Sequence, residues 1–526
     1  MTDKTRNKPN FSRHLIAVTV AMVLSTCAEN PVTGDRELTF VSERQEISLG
    51  QENYQPTQQS QGGQWKIDPE LTAYVSEVGQ RVAAQSPRDL PYEFVVLNNS
   101  VPNAWALPGG KIAINRGLLT EFSNEAELAA VLGHEVVHSA ARHGAQSMER
   151  GLLLQGALLV TTVAARDNEY AGVIVGGAQL GAQLINTRYG RDAEREGDLY
   201  GTRYMAEAGY DPAAAVSLQE TFVRLSEGRT PPGWLDGLFA SHPPSTERVQ
   251  NNRELVAQLR AEGYTNGELG EQRYQQRTAR LRETQPAYEA FDEAYALLSD
   301  DKVEEAERKL DTAIAMVPQE ARFYGLKADI ALMQRRYGAA IESYNQALAR
   351  DDAYFDYYLG RGLAYSRQGN ESRARADLQA SVDLLPTALA MNELGTMALA
   401  ANDRGAAKQY FEQAATAPGE LGARAQAAYM RLDVADNPGN YVQAQAFVGQ
   451  GGKIQVRVVN RAPVDLTDIE LELQASVGRE GVRRAIAVRG LASGQSRDVD
   501  SGLTLPAETD PQTVQAQVVV RRATVN

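Results

Sequence analysis

One cysteine, Cys27, occurs in 526 residues. No disulfide can therefore close within the chain, and no cysteine cluster can hold a metal. Histidine is almost as scarce, with five residues at 14, 134, 138, 143 and 242. No uninterrupted apolar run reaches the roughly twenty residues that span a bilayer. Cations are in the minority, 53 Lys and Arg against 67 Asp and Glu for a net charge of −14. They form no long basic run. Phosphate binding needs clustered Lys and Arg, so nucleic acid is excluded as a partner class. The acidity reads instead as a solubility feature. Apolar residues make up 43%, enough for packed cores, and the length implies about two to four domains.

The N-terminus carries Lys4, Arg6, Lys8 and Arg13, then the apolar run from Leu15 to Leu24. A basic segment followed by about ten apolar residues has the layout of a secretory signal and is too short to cross a membrane. Leu24-Ser-Thr-Cys27 resembles a bacterial lipobox, in which the cysteine is lipidated and begins the mature chain. Thr26 stands where that pattern has Gly, Ala or Ser. Ala28, rather than a retention aspartate, fits transfer to the outer membrane. The expected division is a signal with lipobox over 1–27, a first domain over 35–265, repeats over 286–436 and a β domain over 440–526.

Within the first domain, Tyr92–Leu97 is rich in β-branched and aromatic residues and predicts a strand. Asn103–Asn115 reads as a hairpin turning at Pro108-Gly109-Gly110. A helix is expected from about Glu125 to Ala141, capped by Ser123 or Asn124. Residues 151–186 are apolar and Gly-rich around Arg166, Asp167 and Glu169. They read as two buried helices packed through small residues, with a mobile or membrane-touching hairpin as the alternative.

From about Tyr288 to Gly419 the chain repeats. Ala294, Ala328, Gly362 and Gly395 recur at spacings of 34, 34 and 33, and Ala306, Ala340, Ala374 and Ala407 keep the same phase. Four residues after each of the latter stands Leu310, Tyr344, Leu378 or Phe411. This period, with small residues where paired helices touch, resembles tetratricopeptide repeats. Such arrays bind extended peptides or partner proteins, or merely brace a neighbouring domain. Leu421–Asp433 reads as a capping helix. Beyond Pro438, runs such as Lys453–Val459, Ile469–Gln474 and Val514–Arg521 alternate with period two, as in a small β-sandwich.

The chemistry concentrates in Gly133-His134-Glu135-Val-Val-His138. Residues four apart on a helix share a face, so both imidazoles can hold one Zn²⁺, with Glu135 beside them as general base. A catalytic zinc needs a third protein ligand. Arg191-Asp-Ala-Glu-Arg-Glu-Gly-Asp198 offers Glu194, with Asp198 one turn on to accept the far N–H of a ligand histidine. Spacing alone leaves Glu196 as a competitor. His143 reads as structural, and His14 carries no site.

His-Glu-x-x-His followed by Glu-x-x-(Ala/Gly)-Asp is similar to the gluzincin family that includes HtpX and the CAAX-prenyl proteases. Together with a signal and tetratricopeptide repeats, it resembles the BepA-like peptidases of the Gram-negative periplasm. The resemblance implies a mainly α zincin-type peptidase domain with a small β-sheet, followed by an α-solenoid; the C-terminal β-sandwich falls outside it and rests on the period-two alternation alone. It assigns the third zinc ligand to Glu194, with Gly197 in place of the commoner alanine. It also implies a substrate-side edge strand at Asn103, Ala104, Trp105 and Ala106, and functional roles for His242 and Arg248. His242 then either stabilises the oxyanion or fills the open zinc position in a latent enzyme. The expected activity is endopeptidase action, with one Zn²⁺ per chain, on unfolded or misfolded envelope proteins in the periplasm. Lipid on Cys27 would anchor the chain to the outer membrane, and the repeats would recruit substrates or assembly machinery. The competing expectation is a largely latent chaperone or scaffold for outer-membrane assembly.

Overall fold

The computed structural model describes residues 27–155, 183, 185, 189–227, 242–477, 480–506 and 514–525. The signal run, the lipobox residues before Cys27, most of the apolar 151–186 stretch and Ser241 lie outside them. The described chain divides into two compact units, one up to Leu385 and one from Pro386 onward.

The first unit opens with a small antiparallel ladder, β1 (Cys27–Glu29) against β2 (Arg36–Leu38). Asn30 shapes its turn: its side-chain oxygen accepts from Val32 and Thr33 N–H, while its amide donates to Glu37 and to the Ala141 carbonyl. Helix α1 (Glu43–Ser60) begins at a Ser42/Gln45 capping box. Helix α2 (Pro69–Ala83) is capped by Asp68, and it buries Leu71, Val75, Val78 and Val82.

A three-stranded sheet follows in the order β3 (Glu93–Leu97), β5 (Lys111–Asn115), β4 (Ala104–Leu107). β3 runs parallel to β5, and β4 pairs antiparallel with β5 through the expected turn. Gly109 and Gly110 take φ of 76° and 83° there, a region that glycine enters without steric cost.

Helix α3 (Glu125–Ala140) starts where the sequence places it, with Asn124 Oδ1 accepting from Glu127 N–H at 3.0 Å. All sixteen of its residues are buried, so it is the central rod of this unit. Arg142 turns the chain in the left-handed region, at φ 64°, into α4 (His143–Gln155). Helices α5 (Arg191–Glu207) and α6 (Ala213–Glu227) pack against the rod, and α7 (Thr246–Ala261) packs on those two. α3 and α5 meet where two glycines face each other: a β-carbon on Gly133 would stand 2.7 Å from the Gly201 carbonyl oxygen. That close approach brings the α5 carboxylates within reach of the α3 histidines.

The apolar core of this unit continues into the first repeats, through Tyr288, Phe291, Ala294, Leu310 and Phe323. A buried polar seam runs along the same junction. Trp65 Nε1 donates to Tyr288 Oη at 2.6 Å, Tyr288 donates to Glu320, and Asn98 donates to Glu320 at 3.1 Å. Arg116 lies over the Tyr288 ring at 3.5 Å. The helix pairs Ala279–Ser299 with Val303–Met316, Ala321–Met333 with Tyr337–Leu348, and Phe355–Arg367 with Glu371–Leu384 form the repeats here. Their small-residue columns are buried at the helix contacts. At Gly362 a β-carbon would meet the Leu378 side chain at 2.9 Å.

The second unit holds the pair Ala388–Ala400 with Arg404–Ala414 and the helix Gly419–Asp436. Its strands are β6 (Val442–Val448), β7 (Lys453–Asn460), β8 (Leu466–Val477), β9 (Glu480–Leu491), β10 (Ser496–Thr504) and β11 (Gln515–Val525). They form two antiparallel sheets, β10-β7-β6 and β11-β8-β9. Ile454, Val456 and Val458 of one sheet share a core with Ile469, Leu471 and Leu473 of the other. Period-two alternation puts these side chains on one face of each strand.

Candidate metal centre

Two turns of α3 and one of α5 supply the centre. His134 and His138 are one helical turn apart, and their Nε2 atoms lie 3.0 Å from each other. Glu194 of α5 brings Oε2 to 3.6 Å from His134 Nε2 and Oε1 to 3.5 Å from His138 Nε2. His242, ahead of α7, adds Nδ1 at 2.9 Å from Glu194 Oε1 and 3.3 Å from His134 Nε2. These four side chains are buried, and one donor atom of each lies within 4.8 Å of the others. Glu135, also buried, has Oε1 at 3.6 Å from His242 Nε2.

The residues fit a metal ion. Glu135 Oε2 is buried without a hydrogen-bond partner, a costly arrangement unless a cation offsets it, while Arg248 Nη1 lies 3.1 Å from Glu194 Oε2. Imidazole nitrogens and a carboxylate are also the donors a divalent transition metal takes. Among the described residues this is the one group of such donors close enough to share an ion.

The electrostatics of the protein alone are uneven. Burial would lower the His134 imidazole, but hydrogen bonds to Asp198 and Glu194 outweigh it and raise it to about 10. Burial dominates at His138 and holds it well below the ordinary value. Glu194 stays far below the usual carboxylate range despite its burial, because His242, His134 and His138 surround it. Burial pushes the Glu135 carboxyl up, the direction expected of a group that accepts and releases a proton.

Each α3 histidine has an outer partner. His134 Nδ1 lies 3.2 Å from Asp198 Oδ1, and Arg248 grips that carboxylate with two hydrogen bonds of 2.7 Å. His138 Nδ1 lies 2.8 Å from His143 Nδ1, whose Nε2 lies 3.0 Å from Glu196 Oε2. Glu196 is thus turned away from the donor set, whereas Glu194 lies within it. Tyr189 stacks on the His138 ring at 4.1 Å between centroids. The contacts of His143 and Tyr189 have no counterpart in the sequence reading. A histidine just past the helix end was a signal, but only the left-handed turn at Arg142 shows that it folds back.

β4 is an edge strand that pairs only with β5 among the described residues. Asn103, Ala104, Trp105 and Ala106 are all buried there, and Ser139 Oγ of α3 donates to the Leu107 carbonyl at 3.0 Å. Asn103 Oδ1 and Trp105 Nε1 are buried without partners. Beside Glu135 and His242 opens a small recess lined by Ala130, Val131, Leu218 and Phe222. Cys27 enters only as the first residue of β1.

The profile of peptidase family M48 matches residues 69–256, and that of the tetratricopeptide repeat matches 291–355 and 334–388. The mitochondrial metalloendopeptidase OMA1 of Schizosaccharomyces pombe is 30% identical over 243 residues, 45% of this chain and 68% of that protein. The beta-barrel assembly-enhancing protease of Escherichia coli K12 is 26% identical over 372 residues, 65% of this chain and 75% of its own length. A putative beta-barrel assembly-enhancing protease of Vibrio cholerae is 30% identical over 206 residues, 36% of this chain and 40% of that protein. The matched segment 69–256 contains His134, Glu135, His138, Glu194, His242 and Arg248.

Proposed function

The chain belongs to peptidase family M48 and is a metallopeptidase; from that premise we propose a zinc-dependent endopeptidase that cuts misfolded or stalled envelope proteins. The observation that carries this reading is the buried set His134, His138, Glu194 and His242 closed around Glu135. A zinc ion held there would supply Lewis-acid polarisation of the scissile carbonyl and acidify a water. Glu135, with one oxygen unpartnered and its carboxyl raised by burial, accepts the proton of the attacking water and returns it to the leaving amine. Asp198, itself gripped by Arg248, fixes the His134 ring and its tautomer. An extended substrate would pair by backbone hydrogen bonds with β4 around Asn103, Ala104, Trp105 and Ala106.

His242 gives the reading its regulatory side. Catalytic zinc sites keep three protein ligands and one position for substrate. Here His242 offers a fourth donor, at 2.9 Å from Glu194 and 3.3 Å from His134. This supports a latent arrangement in which His242 must withdraw before substrate enters, over a role in oxyanion stabilisation. The same closed set favours the second reading, a largely silent chaperone or scaffold for outer-membrane assembly.

Export by residues 1–27 and lipidation at Cys27 would put the protein in the periplasm on the outer membrane. The names of the Escherichia coli and Vibrio cholerae relatives are consistent with envelope substrates and an assembly partner for the repeats.

The test measures metal content and casein cleavage together in the wild type, Glu135→Gln and His242→Ala. The enzyme reading expects one zinc in each, no cleavage by Glu135→Gln, and faster cleavage by His242→Ala than by the wild type. Loss of turnover in His242→Ala with zinc retained assigns His242 to the oxyanion. Absence of cleavage in all three, with zinc bound, favours the scaffold.

A further inference from the structure

Two side chains outside the donor set converge on its second histidine. His138 faces the other donors with Nε2, 3.0 Å from His134 Nε2 and 3.5 Å from Glu194 Oε1. That nitrogen can hold a metal only with its lone pair free, so the proton of the ring belongs on Nδ1. His138 Nδ1 lies 2.8 Å from His143 Nδ1, and one of the two must accept. With His138 donating, His143 accepts at Nδ1 and carries its own proton on Nε2. That Nε2 lies 3.0 Å from Glu196 Oε2, and an ionised carboxylate can only accept. The three groups are therefore consistent in one proton arrangement, set from the carboxylate end.

The backbone explains why His143 is available. After α3 ends, Arg142 takes its left-handed turn and is locked by Glu46, Thr39 Oγ1 and the Val41 carbonyl. The next residue, His143, is thereby folded back against the end of α3, where it is 3% exposed. Tyr189 covers one face of the His138 ring, so the ring is fixed both in plane and at its edge.

We propose that His143 and Glu196 are positioning residues, a relay that sets the tautomer and orientation of His138 as a metal ligand. The inference rests on the metallopeptidase reading above. His134 meets its carboxylate partner, Asp198, directly, whereas His138 reaches one through a second imidazole. Outer partners of this kind are worth about 10- to 100-fold in metal affinity.

The test compares zinc affinity, by chelator competition, in the purified full chain, His143→Ala, His143→Asn, Glu196→Ala and the His143→Ala/Glu196→Ala double variant. Visible spectra of the Co²⁺ forms and melting temperatures of the metal-free forms are recorded alongside. We expect His143→Ala to lose about 10- to 100-fold, with an altered Co²⁺ spectrum and an unchanged metal-free melting temperature. His143→Asn, whose side-chain oxygen can accept near the former Nδ1, recovers part of the loss. Glu196→Ala loses less, and the double variant loses no more than His143→Ala, because Glu196 acts through His143.

Wild-type affinity in His143→Ala overturns the proposal. So does a loss matched by a lower metal-free melting temperature, which marks a core histidine and no more. If His143→Ala does not fold, Glu196→Ala decides, since the Glu196 side chain is 29% exposed and outside the core; unchanged affinity there overturns the relay. A wild type that binds no metal fails the metallopeptidase reading itself, whereas normal wild-type binding with unaffected variants fails only the relay.

Discussion

Gly197 lies against the His134 imidazole so closely that a β-carbon built on it would stand 2.6 Å from Cε1 and 2.7 Å from Nδ1. The position is mid-helix in α5, where glycine costs about 1 kcal/mol against alanine. The helix accepts that cost, and the ring occupies the space. Glu194 and Asp198, which flank Gly197, can then meet the same histidine from two sides.

Gly197→Ala consequently separates two effects of opposite sign. The helix gains about 1 kcal/mol of propensity, but forcing the β-carbon against the ring costs about 1–3 kcal/mol, so the metal-free protein should melt no higher than the wild type. Zinc affinity should fall at least about tenfold, as the displaced ring loses its aim. Chelator competition and thermal unfolding of the metal-free form check the pair.

Glu135→Gln should keep the metal and lose the reaction. General-base contributions are typically about 10²- to 10⁴-fold, so kcat should fall in that range while metal content stays at the wild-type level. Stripping the wild type with a chelator should abolish cleavage, and zinc should restore it. Bound zinc should also raise the melting temperature, by about 2.7 kcal/mol of stabilisation at a hundred times Kd.

Acid should weaken the first unit partly through Glu125. Burial alone would raise its carboxyl, but hydrogen bonds from Arg273, Tyr74 and Tyr210 outweigh it and bring it below the ordinary value. A carboxyl lowered in the folded state stabilises above its unfolded value of about 4.3, and that contribution disappears as pH falls through the folded value. Glu125→Gln should therefore be less stable than the wild type at pH 7, and the two should converge on acidification. Urea midpoints at pH 7, 4 and 3 read the trend.

Gly395 tests the packing of the repeats in the second unit. A β-carbon there would stand 2.7 Å from Phe411 Cε1, and overpacking of this kind costs about 1–3 kcal/mol. Gly395→Val should lower the melting transition of the second unit and leave zinc affinity unchanged. Calorimetry with a parallel metal titration distinguishes the two.

Local rules made much of this legible. Asn124 caps α3, Pro108-Gly109-Gly110 turns the hairpin, and His134 and His138 share a helix face, each within a few residues of its cause. The repeats were legible because period and residue size agree across units: the small member of each column meets a large one, as Gly362 meets Leu378. Spacing left Glu194 and Glu196 open because both lie on one helix, and the resemblance pointed to Glu194; the close Gly133–Gly201 approach that brings this helix against α3 leaves no trace in spacing. The partnership of His143 with Glu196 spans 53 residues and that of Asn98 with Glu320 spans 222. Neither leaves a periodic trace in sequence. The continuous core between the first domain and the early repeats was hidden for the same reason, since Tyr288 reads as a repeat residue and acts as a keystone for Trp65.

Asn30 adds a mechanical corollary. Its amide is tied to the Ala141 carbonyl at 3.0 Å, three residues past His138. Cys27 is three residues before Asn30, a reach of about 10 Å even fully stretched. On the anchored reading proposed above, this is a mooring line too short for the peptidase to swing on. The enzyme would work moored at the bilayer surface, and its harvest would be limited to chains arriving at that surface, with those drifting through the open periplasm passing out of range.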